Sequence, residues 1–78
     1  IDLAKIRVLK IFKWLKTKKI SDKEMIRTFN CGVGFCIIVK KKNISKIQKL
    51  FPRKFMPYKI GYISKEKVKI NLSNSLRW

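Results

Sequence analysis

Histidine is absent from this 78-residue sequence, and acidic residues are few, namely Asp2, Asp22, Glu24 and Glu66. Without histidine, and with only two cysteines, the chain cannot supply four cysteine or histidine ligands to a structural zinc ion. The sequence also lacks paired carboxylates for general acid–base catalysis, and no serine has a base nearby. We therefore expect no catalytic residue and no metal site in this chain alone.

The two cysteines, Cys31 and Cys36, are five positions apart. On a strand, this odd separation places their side chains on opposite faces, which disfavours a disulfide between them. Free cysteines are typical of a reducing compartment, and the sequence contains neither a signal peptide nor an apolar run long enough to span a membrane. The sequence therefore predicts a cytoplasmic protein.

Positive charge is in large excess, because 21 lysines and arginines give a formal net charge of +17 at pH 7. Such a charge is typical of nucleic-acid-binding proteins, so a small basic nucleic-acid-binding or interaction module is one hypothesis. However, 17 of these residues are lysines, whereas proteins that bind bases and phosphates specifically favour arginine. We interpret the charge as a solvated basic surface and expect no specific nucleic-acid partner.

The apolar pattern of the first half predicts an extended segment followed by two helices. Residues 1–4 belong to an alternating pattern, and helical spacing then predicts a helix over 8–17 on four apolar residues, Val8, Ile11, Phe12 and Leu15. A basic amphipathic helix that carries a tryptophan, here Trp14, is also typical of a membrane anchor. The capped helix that follows favours packing within a domain instead, so we expect no membrane partner.

Residues 21–24 read Ser-Asp-Lys-Glu, which has the form of a capping box. In such a box the Ser21 hydroxyl caps the backbone N–H of Glu24, and the Glu24 carboxylate reaches back to the N–H of Ser21. The box predicts a second helix over 22–29. Glu24 is also the most plausible catalytic acid by sequence, but the capping role accounts for it.

The residue pattern of the second half predicts a strand, then a helix, then two further strands. Residues 32–39 are uncharged and rich in β-branched and aromatic side chains, which indicates a strand covered on both faces. Asn43 is placed to cap a third helix, which Pro52 ends. Segments 58–63 and 67–72 each alternate apolar and polar residues, and we expect them to form a β-hairpin. The fold class is therefore α+β.

Two motifs resemble a known family. Ile11-Phe12-Lys13-Trp14-Leu15, and Arg27-Thr28-Phe29-Asn30 followed by Gly32-Val33-Gly34, closely resemble the C-terminal domain of phosphoribosylformylglycinamidine cyclo-ligase, also called aminoimidazole ribonucleotide synthetase. The resemblance runs from the first residues to at least Ile63 and implies that residues 1–78 are a single partial domain, a C-terminal fragment of the synthetase C-terminal domain. Formylglycinamidine synthetase, selenophosphate synthetase and thiamine-monophosphate kinase share the architecture, but the second motif favours the cyclo-ligase.

The resemblance implies a reaction of purine biosynthesis. In that enzyme ATP, with Mg²⁺, activates the formyl oxygen of formylglycinamidine ribonucleotide, and ring closure gives aminoimidazole ribonucleotide, ADP and phosphate. A separate N-terminal domain carries most of the ATP-binding residues, and the C-terminal domain closes the cleft. We expect this chain alone to be inactive and to hold neither ATP nor Mg²⁺.

By the same resemblance, four residues are candidates for ligand binding at or near the cleft, namely Thr28, Asn30, Gly32 and Gly34. They offer a side-chain donor, a tight corner and unobstructed backbone amides to an anionic ligand. The alternative is that Asn30 only ends the helix and the glycines only permit close packing.

Self-association follows from the predicted strand at 35–39. A strand covered on both faces needs neighbours, and this sequence offers few of them. We expect an open edge and apolar surface, which pair with a second chain, and therefore a homo-oligomer.

Overall fold

The computed structural model describes all of residues 1–78 and contains three short α-helices joined by long irregular segments. Helix α1 spans Lys10–Lys16, α2 spans Asp22–Thr28 and α3 spans Ile44–Gln48. Three single turns of 3-10 helix occur at Leu3–Lys5, Lys41–Asn43 and Arg53–Phe55. One isolated parallel bridge, between Asp2 and Ser73, is the only β-type pairing.

Both helices predicted for the first half are confirmed. Helix α2 begins as its capping pattern predicts, because the Ser21 hydroxyl accepts a hydrogen bond from the backbone N–H of Glu24 at 3.2 Å. The reciprocal bond of the capping box does not form, since the Glu24 carboxylate accepts a hydrogen bond from the Thr28 hydroxyl at 3.1 Å instead. Asp22 and Glu24 still stabilise the first turn of α2, where the helix dipole favours negative charge.

The third helix is present, but Asn43 does not cap it. Asn43 ends a 3-10 turn that leads directly into α3, and its side chain makes no capping hydrogen bond. The far end of α3 is fixed by Gln48, whose side-chain amide donates to the carbonyl oxygen of Pro57 at 3.0 Å. This bond ties the helix to the segment that follows Pro52.

Residues 32–39 do not form the covered strand that their composition predicts. Residues 34–39 make no backbone hydrogen bond to any other part of the chain. Phe35 is 86% exposed and Ile38 is 78% exposed. The physical reason is that a strand needs a neighbouring strand for its hydrogen bonds, and the fold places none beside this segment.

The first three residues lie between the two segments expected to form a hairpin. The backbone N–H of Asp2 donates to the carbonyl of Ile60 at 2.8 Å, and on the other side the N-terminal ammonium of Ile1 donates to the carbonyl of Asn71 at 2.7 Å. No backbone hydrogen bond joins the two C-terminal segments directly. The expected hairpin is therefore not observed, because the N-terminal segment occupies the place between its two arms.

The core is small. Only 4 of 78 residues are buried. Leu3, Cys31 and Leu76 form one cluster, and Met25 is the fourth buried residue. Five partly buried side chains pack against the cluster, namely Ile6, Val8, Ile26, Phe29 and Trp78. Three distant parts of the chain thus meet at one point, and few side chains carry the apolar contribution to stability.

The C-terminal tail, residues 73–78, is held by two aspartates. The Asn74 side-chain amide donates to Asp2 at 2.8 Å, and the Trp78 indole N–H donates to Asp22 at 3.1 Å. Lys16 lies 2.6 Å from the same oxygen of Asp22. The hydrogen bond from Asn74 lowers the pKa of Asp2, and Lys16, followed by Trp78, lowers the pKa of Asp22.

We expect these contacts to make the fold less stable in acid. Both aspartates have a folded-state pKa below the ordinary value of 3.8. Their stabilisation is therefore present above that value and is lost as the pH falls through the lower folded-state pKa. The effect is modest, because both carboxylates are solvent-accessible. Thermal melts between about pH 5 and pH 2 should show a decline in Tm.

Two variants test this expectation. One is a double variant that carries both Asp2→Asn and Asp22→Asn, and its control is Glu66→Gln. The double variant should have a lower Tm at pH 5 and a weaker decline in acid, whereas Glu66→Gln should retain the decline of the native chain. An unchanged decline in the double variant would assign the acid sensitivity to other groups.

Candidate functional site

The four candidate residues lie together at the end of α2 and in the turn after it. Thr28 is the last residue of α2. The chain then reverses at Cys31 and Gly32, whose φ angles are both positive, at 54° and 118°. The backbone N–H of Val33 donates to the carbonyl of Asn30 at 3.0 Å and closes the reversal. We call residues 30–33 the glycine turn.

Gly32 is required by the backbone for two reasons. Its φ of 118° is one that residues with a side chain rarely adopt. In addition, a Cβ at Gly32 would lie only 2.7 Å from the carbonyl oxygen of Arg7 and 3.2 Å from the Leu9 side chain. The segment from Arg7 to Leu9 therefore passes directly against the turn, and at Gly32 the close-packing role is observed.

Gly34 differs from Gly32. A Cβ at Gly34 would meet no atom within 4 Å. Its backbone N–H makes no hydrogen bond with the rest of the chain. Packing does not explain this glycine, and its amide is open to a ligand.

Asn30 shapes the turn with one end of its side chain. The carboxamide oxygen accepts a hydrogen bond from the N–H of Gly32 at 3.1 Å, which is the geometry of an Asx turn. The residue is exposed, and its NH₂ group has no partner in the chain. Asn30 does not end α2, because the capping residue there is Phe29, whose N–H donates to the carbonyl of Met25. The NH₂ group is therefore a fixed donor that faces solvent.

Thr28 is less suited to an anionic ligand. Its hydroxyl donates to the Glu24 carboxylate at 3.1 Å, one turn back along α2. An anion that approached Thr28 would meet the negative charge of Glu24. The available donors of the candidate site are therefore Asn30 and the amide of Gly34.

Arg7 is a cation beside the glycine turn that the sequence motifs do not indicate. Its carbonyl borders Gly32, its backbone N–H donates to the Tyr58 hydroxyl at 3.2 Å, and its guanidinium lies 4.4 Å from the centre of the Tyr58 ring. Contact with an aromatic face restrains the guanidinium while leaving its N–H groups free for an anion. The proximity of Arg7 to the turn depends on tertiary packing, so no local pattern could have predicted it.

An open apolar groove of about 270 Å³ lies next to the glycine turn. Apart from Asn30, every residue that lines it is apolar, and the lining includes Ile26, Phe29, Val33 and Leu76. Both cysteines also line it, and both are free thiols. Burial raises the pKa of the Cys31 thiol, which keeps it protonated and a poor nucleophile at neutral pH.

The side chains do not fit a metal site made by this chain alone. No group of three or more histidine, cysteine, aspartate or glutamate side chains converges anywhere in the structure. Mg²⁺ prefers several oxygen ligands, usually including carboxylates or phosphates. We therefore derive no step through a protein-bound Mg²⁺.

None of the three α-helices has the length and apolar character needed to cross a bilayer.

Comparison with known proteins gives one family. The family model described as AIR synthase related protein, C-terminal domain, matches residues 1–72. The matched region includes all three α-helices and the glycine turn, and it ends just before the C-terminal tail. No solved structure matches the chain.

Proposed function

Because the chain belongs to the family of AIR synthase related proteins, whose C-terminal domain it matches over residues 1–72, we propose that it serves an aminoimidazole ribonucleotide synthetase, the phosphoribosylformylglycinamidine cyclo-ligase of purine biosynthesis. In this proposal residues 1–78 are one partial domain that forms a wall of the ligand cleft. The family fits an α+β fold, and we propose that residues 32–39 become a strand when neighbouring strands are supplied. The observation that carries the proposal is the pair of free donors, Asn30 and Gly34, within the matched motif.

The proposed role of the site is to hold an anionic substrate. Both ATP and formylglycinamidine ribonucleotide carry phosphate groups, which accept hydrogen bonds from side-chain amides and backbone N–H groups. The NH₂ group of Asn30 is already oriented by its bond to Gly32, so it needs little reorganisation on binding. The net charge of +17 favours the approach of such anions.

The chain contributes positioning rather than reacting groups in this proposal. Cys31 is the only titratable residue of the glycine turn, and burial raises its pKa. Proton and phosphoryl transfer are therefore assigned to the other domain of the enzyme. ATP enters with Mg²⁺ as its substrate complex. The two free cysteines are consistent with a cytoplasmic location.

The test is a titration of the isotope-labelled chain followed by NMR. We expect ATP and formylglycinamidine ribonucleotide to shift the Gly34 amide and the Asn30 side-chain amide, and thiamine, which carries no phosphate, to shift neither. Asn30→Asp keeps the oxygen that bonds Gly32 but replaces the donor with a negative charge. Loss of one hydrogen bond to a charged group should weaken binding about tenfold or more.

The control is Asn43→Asp, which makes the same change of charge beside α3, where the Asn43 side chain caps nothing. It should leave affinity nearly unchanged. Equal weakening by both variants would show that ATP binds the diffuse positive charge and not the glycine turn. In a coupled assay the chain alone should give no ADP and no aminoimidazole ribonucleotide, and turnover that Asn30→Asp abolishes would contradict the assignment of reacting groups to another domain.

We also propose that the chain is a homo-oligomer without a specific nucleic-acid partner. Support for self-association comes from the large apolar side chains that the fold leaves exposed, among them Phe35, Ile38, Leu50 and Tyr62.

A further inference from the structure

Residues 49–56, which follow α3, form a surface loop that is not part of the proposed ligand site. We call it the basic loop. All eight of its residues are exposed, including the apolar side chains of Leu50, at 75%, and Phe55, at 65%. Three of its residues are cations, namely Lys49, Arg53 and Lys54, and none of them forms an ion pair within the chain. The basic loop therefore presents apolar surface and unpaired positive charge together.

Hydrogen bonds hold the basic loop in one shape. The backbone N–H groups of Leu50 and Phe51 donate to carbonyls in the last turn of α3, at 3.0 and 3.2 Å. The 3-10 turn Arg53–Phe55 forms the second half of the loop. The bond from the Gln48 side chain to the carbonyl of Pro57 joins the two ends. A segment that is already ordered loses little conformational entropy on binding, so this loop is suited to hold a partner.

We propose that the basic loop binds a segment of another protein in which apolar side chains are flanked by aspartates or glutamates. Apolar side chains of that segment pack on Leu50 and Phe55, and its carboxylates pair with the three cations of the loop. Complementary charge argues for this partner, because no acidic residue occurs between Glu24 and Glu66 in the sequence. Arg53 can hold a carboxylate through two parallel N–H bonds, which a lysine cannot.

A second copy of this chain does not supply such a segment. It has only four acidic residues, and each carboxylate already accepts a hydrogen bond within its own chain. Two copies also repel each other, since each carries a net charge of +17. We therefore assign Leu50 to an acidic partner and not to a contact between copies, so this inference is independent of the proposed self-association.

The position of Lys54 argues against a lipid surface and against single-stranded nucleic acid. Its ammonium lies over the Phe55 ring, 5.5 Å from the ring centre. Insertion of Phe55 into lipid would draw this charge toward the apolar layer, which is costly. A nucleic-acid base needs an open aromatic face for stacking, and the ammonium occupies one face of the ring. A carboxylate that is followed by an apolar side chain can contact both the ammonium and the ring.

Fluorescence anisotropy with two labelled peptides tests the proposal. In the first peptide leucines and phenylalanines alternate with glutamates, and in the second peptide serines replace the apolar residues at the same charge. At about 0.15 M NaCl, where long-range attraction between charges is largely screened, the first peptide should bind at least about tenfold more tightly. Equal affinity of the two peptides would show that only diffuse charge is recognised and would overturn the proposal.

The matched variants use a second pair of an aromatic ring and a lysine. Phe55→Ser should weaken binding of the first peptide about tenfold, because truncation of a central aromatic contact typically has an effect of this size. Lys54→Gln should weaken it by a smaller factor. Tyr62→Ser and Lys59→Gln are the controls, since Tyr62 is 79% exposed and the Lys59 ammonium lies 5.9 Å from its ring centre. Both controls should leave the affinity almost unchanged. None of these four side chains is part of the core, so all four variants should fold.

Equal weakening in Phe55→Ser and Tyr62→Ser would overturn the assignment to the basic loop. Vesicles of phosphatidylcholine with phosphatidylglycerol, and a single-stranded oligothymidine, represent the competing occupants. If either of them bound the native chain more tightly than the first peptide does, and lost affinity in Phe55→Ser, it would replace the acidic segment as the occupant. Asn30→Asp should change the affinity for the first peptide little, so failure of this proposal and failure of the proposed ligand site are separately visible.

Discussion

Met25→Ala is expected to unfold most of the chain at room temperature. Met25 is fully buried, with 0% of its surface exposed, and it is the only side chain buried to that degree. Truncation of a buried methionine to alanine typically costs about 2–5 kcal/mol. The core of a chain this small rarely supplies more than about 3–5 kcal/mol. Circular dichroism should show a cooperative thermal transition for the native chain and loss of that transition in the variant.

Met56→Ala is the control for this result, since Met56 is 45% exposed. The same chemical change there leaves no cavity and should alter the free energy of unfolding by less than about 1 kcal/mol. Similar melting curves for the two variants would show that Met25 does not hold the core together.

Gly32→Ala is expected to produce the second-largest loss of stability. Alanine at a φ of 118° is strained, and its Cβ would lie 2.7 Å from the carbonyl oxygen of Arg7. A backbone carbonyl cannot move aside without moving the segment that carries it. Strain of this kind costs about 1–3 kcal/mol before the contact with Arg7 is included. Chemical denaturation should therefore show a much lower midpoint.

Gly34→Ala provides the contrast within the same motif. It has open space around it, so the variant should be neutral, or more stable by up to about 1 kcal/mol through a less flexible unfolded state. An equal loss of stability at both glycines would contradict the different roles assigned to them.

The helices could be predicted from sequence because their signals are local. Apolar spacing of three and four residues is enough to place α1, and Ser21 with the acids of the first turn is enough to place the start of α2. The Ser21 hydroxyl does cap the N–H of Glu24. The reciprocal bond of the capping box, from the backbone N–H of Ser21 to the Glu24 carboxylate, does not form because the carboxylate accepts from the Thr28 hydroxyl instead. Thr28 lies outside the four-residue capping motif, so the motif could not predict this competition.

The absence of the predicted strands could not be read from the sequence, because strand formation depends on neighbours far away in sequence. The composition of residues 32–39 is that of a buried strand, but composition does not reveal whether another strand lies beside it. Likewise, the alternation of 58–63 and 67–72 is compatible with a hairpin. The backbone hydrogen bonds that join Ile1 to Ser73 and Asp2 to Ile60 connect residues far apart in sequence, so no local sequence pattern could predict them.

The candidate site was partly predictable. The resemblance gives the four residues, and their sequence proximity ensures that they lie together. Their different roles depend on backbone torsion at Gly32, on the partner of Thr28 and on the passage of Arg7 beside the turn. Each of these is a tertiary or side-chain detail that no spacing rule encodes.

The cluster of Leu3, Cys31 and Leu76 also determines the order in which the molecule can fold. Contact between residues 3 and 76 closes a loop of nearly the whole chain, at an entropic cost of roughly 4 kcal/mol from the dependence on loop length alone. Helices α1 and α2 require only local contacts and can begin to form much earlier. The transition state should therefore contain the two N-terminal helices, while the C-terminal tail docks late, and contacts made by Leu76 should govern the rate of unfolding more than the rate of folding.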